Sequence, residues 1–121
     1  MGKRVLVIED EPNIIEAISF ILSRGGWEVK THSNGHDAVD VVQAHAPDLI
    51  VLDVMLPGKS GFDILSEIRE DARTTKTPVM MLTAKGQSRD RAAAEAAGVS
   101  VFMTKPFSNK EIVETVKSLL A

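Results

Sequence analysis

Short apolar runs alternate along the chain with longer stretches in which apolar positions recur at helical spacing. The runs Val5–Ile8, Leu49–Leu52, Val79–Leu82 and Val99–Met103 are too short for buried helices, and most are bounded by Asp, Pro or Gly, so they predict strands. Glu28–His32 predicts a strand of another kind. There Trp27, Val29 and Thr31 alternate with Glu28, Lys30 and His32, a period that suits an edge strand with one wetted face. Between the strands, Ile14, Ile15, Ile18, Ile21 and Leu22 share one face of a first helix, and Ile112, Val113, Val116, Leu119 and Leu120 one face of a last helix. Pro12 suits a first helical position, Gly25-Gly26 a helix stop and Pro57-Gly58 a turn. The alternation predicts an α/β fold of about five units, with parallel strands joined by crossover helices. One helix differs, because Arg89–Ala97 carries Ala92, Ala93, Ala94, Ala96 and Ala97 where large apolar anchors are usual. Its docking is expected to be weak; close packing on small residues and a movable surface both fit.

A length of 121 residues matches one domain, residues 1–121, with a single core. With 44% hydrophobic and 26% charged residues, a packed fold is the default. The formal net charge of -3 supplies no basic footprint, so neither direct nucleic-acid binding nor attachment to an anionic membrane is expected, and protein partners are favoured. The absence of cysteine removes disulfides, thiolate zinc sites and cysteine nucleophiles. No apolar run reaches membrane-spanning length, and Met1–Arg4 leads straight into Val5–Ile8 without a cleavage pattern, so a cytoplasmic location is expected.

Right-handed crossovers put the C-terminal ends of parallel strands on one rim of the sheet, where ligands bind. Those ends offer Glu9-Asp10, Asp53, Thr83 and Lys105-Pro106. Asp53 interrupts Leu49–Leu52 and Val54–Leu56, and a carboxylate against that much apolar surface is costly unless it is paired. Each residue alone has an ordinary reading: Asp53 as a turn residue, Glu9 and Asp10 as helix-start acids, Thr83 as a cap, Lys105 as a solvated cation. Together they differ in kind, because converging acids repel one another and demand a cation. An all-oxygen carboxylate pocket suits magnesium, while Lys105 and Thr83 suit the oxygens of a phosphoryl group.

Four segments carry a resemblance that spans essentially the whole chain: Glu9-Asp10, Asp53-Val54-Met55-Leu56-Pro57-Gly58-Lys59-Ser60-Gly61, Thr83-Ala84, and Lys105-Pro106-Phe107. In this order and spacing the sequence resembles the receiver domains of two-component response regulators. The resemblance implies a flavodoxin-like, doubly wound three-layer sandwich with strand order 2-1-3-4-5. It implies that Asp53 is the phosphoacceptor and that Glu9, Asp10, Asp53 and the Met55 carbonyl hold Mg2+, directly or through water. Thr83 and Lys105 would contact the phosphoryl oxygens, with small Ala84 leaving them room. The donor would be a sensor histidine kinase or a histidine phosphotransfer protein, and the output a downstream protein, an effector domain or a phosphorylation-dependent homodimer. Catalysis would be confined to the domain's own phosphoryl transfer and autodephosphorylation.

By the same resemblance, Phe102 is the switch aromatic that fills space vacated behind Thr83, although ordinary core packing also accounts for it. Lacking a hydroxyl, Phe102 would be held inward by packing alone. Lys85 modulates water entry or simply faces solvent. Ser100-Val101 stand where receivers attached to winged-helix transcription factors usually carry acidic residues, so their dimer contacts are not expected unchanged. Two rivals are a phosphorylation-independent interaction module on the same scaffold and an aspartate-nucleophile phosphatase. Against the first, Asp53, Thr83 and Lys105 are all retained; against the second, Met55 stands where a second aspartate is needed. A nucleotide or flavin carrier would want a Gly- or Thr-rich phosphate loop, and Glu9-Asp10-Glu11 would repel phosphate. His32, His36 and His45 show no metal spacing and read as surface or edge residues.

Overall fold

A computed structural model describes residues 3–83 and 88–121 of the chain. Strands and helices alternate: β1 (Arg4–Ile8), α1 (Pro12–Arg24), β2 (Glu28–His32), α2 (Ala38–His45), β3 (Leu49–Asp53), α3 (Gly61–Glu70), β4 (Val79–Thr83), α4 (Ser88–Ala96), β5 (Val101–Thr104) and α5 (Asn109–Leu120). The five strands form one parallel sheet in the order β2-β1-β3-β4-β5, as the resemblance implied. β2 lies at an edge; Val29 is half-covered while Glu28 and Lys30 are exposed, as predicted, but the alternation breaks at the strand's end, where Thr31 is exposed and His32, paired with Asp37, is half-covered.

β3 and β4 are buried along their whole length, because helices cover both faces of the sheet. On one face, Leu6, Ile8, Ile50, Leu52, Met81 and Phe102 pack with side chains of α2, α3 and α4. On the other, Val5, Val7, Leu49, Val51, Met80 and Leu82 meet Ile18 and Leu22 of α1 and Ile112 and Val116 of α5. Alternate residues of each strand thus point to opposite layers. The helix ends follow their local chemistry: Pro12 occupies the first turn of α1, and α5 opens with a capping box in which Ser108 and Glu111 exchange side-chain-to-backbone bonds of 3.0 Å.

The fifth strand departs from its predicted span. β5 begins at Val101, not Val99, and ends at Thr104. Val99 is apolar but belongs to the termination of α4: its amide donates to the Ala94 carbonyl at 3.0 Å, with Gly98 at φ +93° making the left-handed turn. α4 runs one residue earlier at each end than expected, Ser88–Ala96. β3 and β4 extend one residue beyond their predicted ends, so Asp53 and Thr83 close the strands instead of following them.

Candidate functional site

The sheet order sets the site. β1 and β3 are neighbours, with Ile8 opposite Leu52, so Glu9 and Asp10 leave β1 beside Asp53 at the end of β3. β4 and β5 are neighbours on the other side of β3, with Thr83 opposite Thr104, and Lys105 follows at once. Backbone bonds continue past the strand ends and hold the rim: Val54 N–H donates to the Leu82 carbonyl at 2.9 Å, Lys105 N–H to Thr83 at 2.7 Å and Glu9 N–H to His32 at 3.0 Å. The Lys105–Pro106 peptide bond is cis. Gly61, the first residue of α3, sits so close that a Cβ there would lie 2.3 Å from the Asp53 carbonyl oxygen, and its amide donates to Val54 at 2.9 Å.

Glu9 is fully buried. Its Oε2 accepts from the amides of Asp10 at 3.0 Å and Glu11 at 3.2 Å, while its Oε1 lies 2.9 Å from Lys105 Nζ. The same ammonium is 3.4 Å from Asp53 Oδ1 and 3.9 Å from Glu11 Oε1. Asp53 is buried too, and that burial, then the neighbouring charge of Glu9, pushes its pKa up to about 7 against the opposing pull of Lys105. For Lys105, burial alone would lower the pKa, but the bonds and charges of Glu9 and Asp53 outweigh it and raise the value. The partner that the apolar surroundings of Asp53 demanded is therefore Lys105.

Oxygen atoms of Glu9, Asp10 and Asp53 lie within 4.8 Å of one another, and Asp10 is exposed at the mouth of the cluster. A donor set of carboxylate oxygens alone suits a hard divalent cation. Both Glu9 oxygens are already engaged by backbone amides and Lys105, so Asp10 and Asp53 are the better direct ligands and Glu9 suits a water-mediated one. Among the described residues, this is the one cluster of three or more His, Cys, Asp or Glu side chains able to share an ion. The histidines take other roles; His32 Nε2 pairs with Asp37 Oδ1 at 2.7 Å.

Thr83 is buried at the end of β4. Phe102 is buried in the core with the guanidinium of Arg91 over its ring, 5.1 Å from the centroid. Met55 lies just beyond Asp53 and is 74% exposed; its thioether is a poor ligand for a hard cation, so its main-chain carbonyl is the atom that suits one. Ala84 and Lys85 lie outside the described residues. Sequence reasoning left two neighbours out of the site. Glu11 reaches Lys105, and its place one residue past the acidic pair was the available signal. Arg91 over Phe102 depends on long-range packing and left none.

Residues 5–117 match the family model described as the response regulator receiver domain. The chain is 38% identical over 120 residues to the phosphate regulon transcriptional regulatory protein PhoB of Escherichia coli strain K12, covering 99% of this chain and 52% of that protein. It thus spans about half the length of that relative. Chemotaxis response regulator CheY4 of Vibrio cholerae superposes with a TM-score of 0.93 at 28% identity, covering 99% of this chain and 100% of that one. The receiver domain of a Pseudomonas aeruginosa sensor histidine kinase, described with a magnesium ion coordinated in its active-site cleft, superposes with a TM-score of 0.91 at 28% identity, covering 99% and 98%.

Proposed function

The chain belongs to the response regulator receiver domain family of two-component systems, and from that premise we propose that Asp53 accepts a phosphoryl group in a magnesium-dependent reaction that switches a protein-interaction surface. The observation that carries this reading is the position of Asp53: buried at a strand end, 3.4 Å from Lys105 and sharing a carboxylate cluster with Glu9 and Asp10.

A carboxylate oxygen of Asp53 attacks the phosphorus of a phosphohistidine on a sensor kinase or phosphotransfer protein, or of a small acyl phosphate. The new Oδ–P bond forms as the P–N or P–O bond of the donor breaks; a histidine donor leaves as imidazole on taking up a proton, and an acyl phosphate leaves as the carboxylate anion. Bound by Asp10, Asp53 and the Met55 carbonyl, with Glu9 acting through water, Mg2+ would supply charge compensation to the transferred oxygens. Lys105 exchanges its contact with Asp53 for one with the phosphoryl group, and Glu9 keeps the ammonium within reach. The Thr83 hydroxyl turns toward the new oxygens, and the Phe102 ring packs behind it. Water later hydrolyses the acyl phosphate and restores Asp53, so the domain's catalysis concerns only its own phosphoryl group.

The partners on this reading are a cytoplasmic histidine phosphodonor and an effector protein, an effector domain or a second copy, with no direct contact to nucleic acid or membrane. Among the described residues no helix is long and apolar enough to cross a membrane. Intact-mass measurement after incubation with acetyl phosphate tests the reaction. The expected result is a gain of one phosphoryl mass with magnesium, none with a chelator and none for Asp53→Asn; equal labelling of both proteins would overturn it.

A further inference from the structure

Over its described side chains, the helix α4 is held unequally. Its C-terminal end is fastened by Arg69 of α3: Nε donates to the Gly98 carbonyl at 2.8 Å, and Nη1 to those of Thr77 at 2.7 Å and of Thr74 and Thr75, each at 3.3 Å. Nη2 reaches Ser100 Oγ at 3.4 Å, and that hydroxyl also accepts from the Val79 amide at 3.0 Å. A planar guanidinium spending its donors on main-chain oxygens from two loops makes a stiff joint. The body of the helix is different. Among its described side chains, residues 91–96, Ala94 alone is buried, so this stretch reaches the core through one methyl group. Nearer the start of α4, the exposed side chain of Arg91 lies over Phe102.

We propose that α4 is a pivoted helix, with Arg69 fixing the pivot at Gly98–Ser100 and the Arg91–Phe102 contact serving as the latch that ties the Arg91 end to the buried ring. The face of a phenyl ring attracts a guanidinium, so the contact couples Arg91 on the surface to a ring packed in the core. Movement of Phe102 is thereby passed to the half of α4 that carries Arg91, while the Gly98 end stays in place. The part assigned to phosphorylation rests on the Asp53 reading; the pivot and the latch are properties of the unmodified protein.

Amide hydrogen exchange on the unmodified chain tests them. Arg91→Ala is expected to speed exchange at residues 92–96 about two- to fivefold, the worth of an exposed cation–π contact, and to leave 98–104 unchanged. Arg91→Lys, which keeps a cation over the ring, restores part of the protection. After Phe102→Leu, Arg91→Ala has no further effect. Arg69→Lys, which keeps the charge but loses the fork, speeds exchange at 97–101 first. An Arg91→Ala effect as large after Phe102→Leu as before it would overturn the latch, and equal loosening of both ends by Arg69→Lys would overturn the pivot. In a separate arm, beryllofluoride is expected to alter protection at 91–96 and spare 98–100. No response to it in the native chain counts against the Asp53 reading, while the substitution series decides the pivot and latch by itself.

Discussion

Lys105 faces more negative charge than one ammonium can neutralise: Glu9 at 2.9 Å, Asp53 at 3.4 Å and Glu11 at 3.9 Å. The surplus favours a divalent cation at the cluster, and the Glu9 charge adds to burial, the larger cause, in raising the pKa of Asp53. Folding lifts the Asp53 pKa from 3.8 to about 7, so between those values the folded chain binds more protons than the unfolded one. Its stability in metal-free solution therefore falls as pH rises across that range. Asp53→Asn removes this slope. The variant should be more stable than the native chain near pH 8 by roughly 1–3 kcal/mol, with the advantage gone by about pH 4, as read from urea denaturation midpoints. A pH-independent difference would contradict the account. Lys105→Met should act in the other direction, lowering stability at neutral pH by about 1–3 kcal/mol because buried Glu9 loses its cation. Added magnesium should recover part of that loss in the same denaturation assay.

At the scale of elements, the site depends on how tightly α3 starts beneath Asp53. Gly61→Ala would place a methyl group 2.3 Å from the Asp53 carbonyl oxygen, a main-chain atom that cannot swing aside. The variant should lose about 1–3 kcal/mol of stability and bind magnesium more weakly, seen by calorimetric titration; unchanged affinity would show that the turn does not position the acid. The central strands were legible from sequence because burial on both faces leaves unbroken apolar runs, as in Leu49–Leu52 and Val79–Leu82. β5 was misplaced at its start because Val99, read as a strand residue, is drawn into the cap of α4 by a bond that apolar character does not announce. The joint at Arg69 was invisible for a similar reason: its partners are main-chain oxygens, which carry no residue identity.

For the whole molecule, the residues of the site were legible and their convergence was not. Glu9, Asp10, Asp53, Thr83 and Lys105 stand at strand ends whichever way the sheet is ordered, but the order β2-β1-β3-β4-β5 is what sets the end of β1 beside β3, and those of β4 and then β5 on its other side. That order is a property of long-range pairing, and it entered through family resemblance instead of periodicity. Its consequence is that the buried acid Asp53 meets two further carboxylates, Glu9 and Asp10, and a lysine from segments distant in sequence. The claim that this acid is the nucleophile is tested most directly by trapping the product. Treatment with acetyl phosphate and magnesium, followed by borohydride reduction and peptide mapping, converts an aspartyl phosphate to homoserine at the modified position. Homoserine is expected at position 53 and at no other; reduction at position 9 or 10, or at none, would overturn the assignment of Asp53 as the nucleophile.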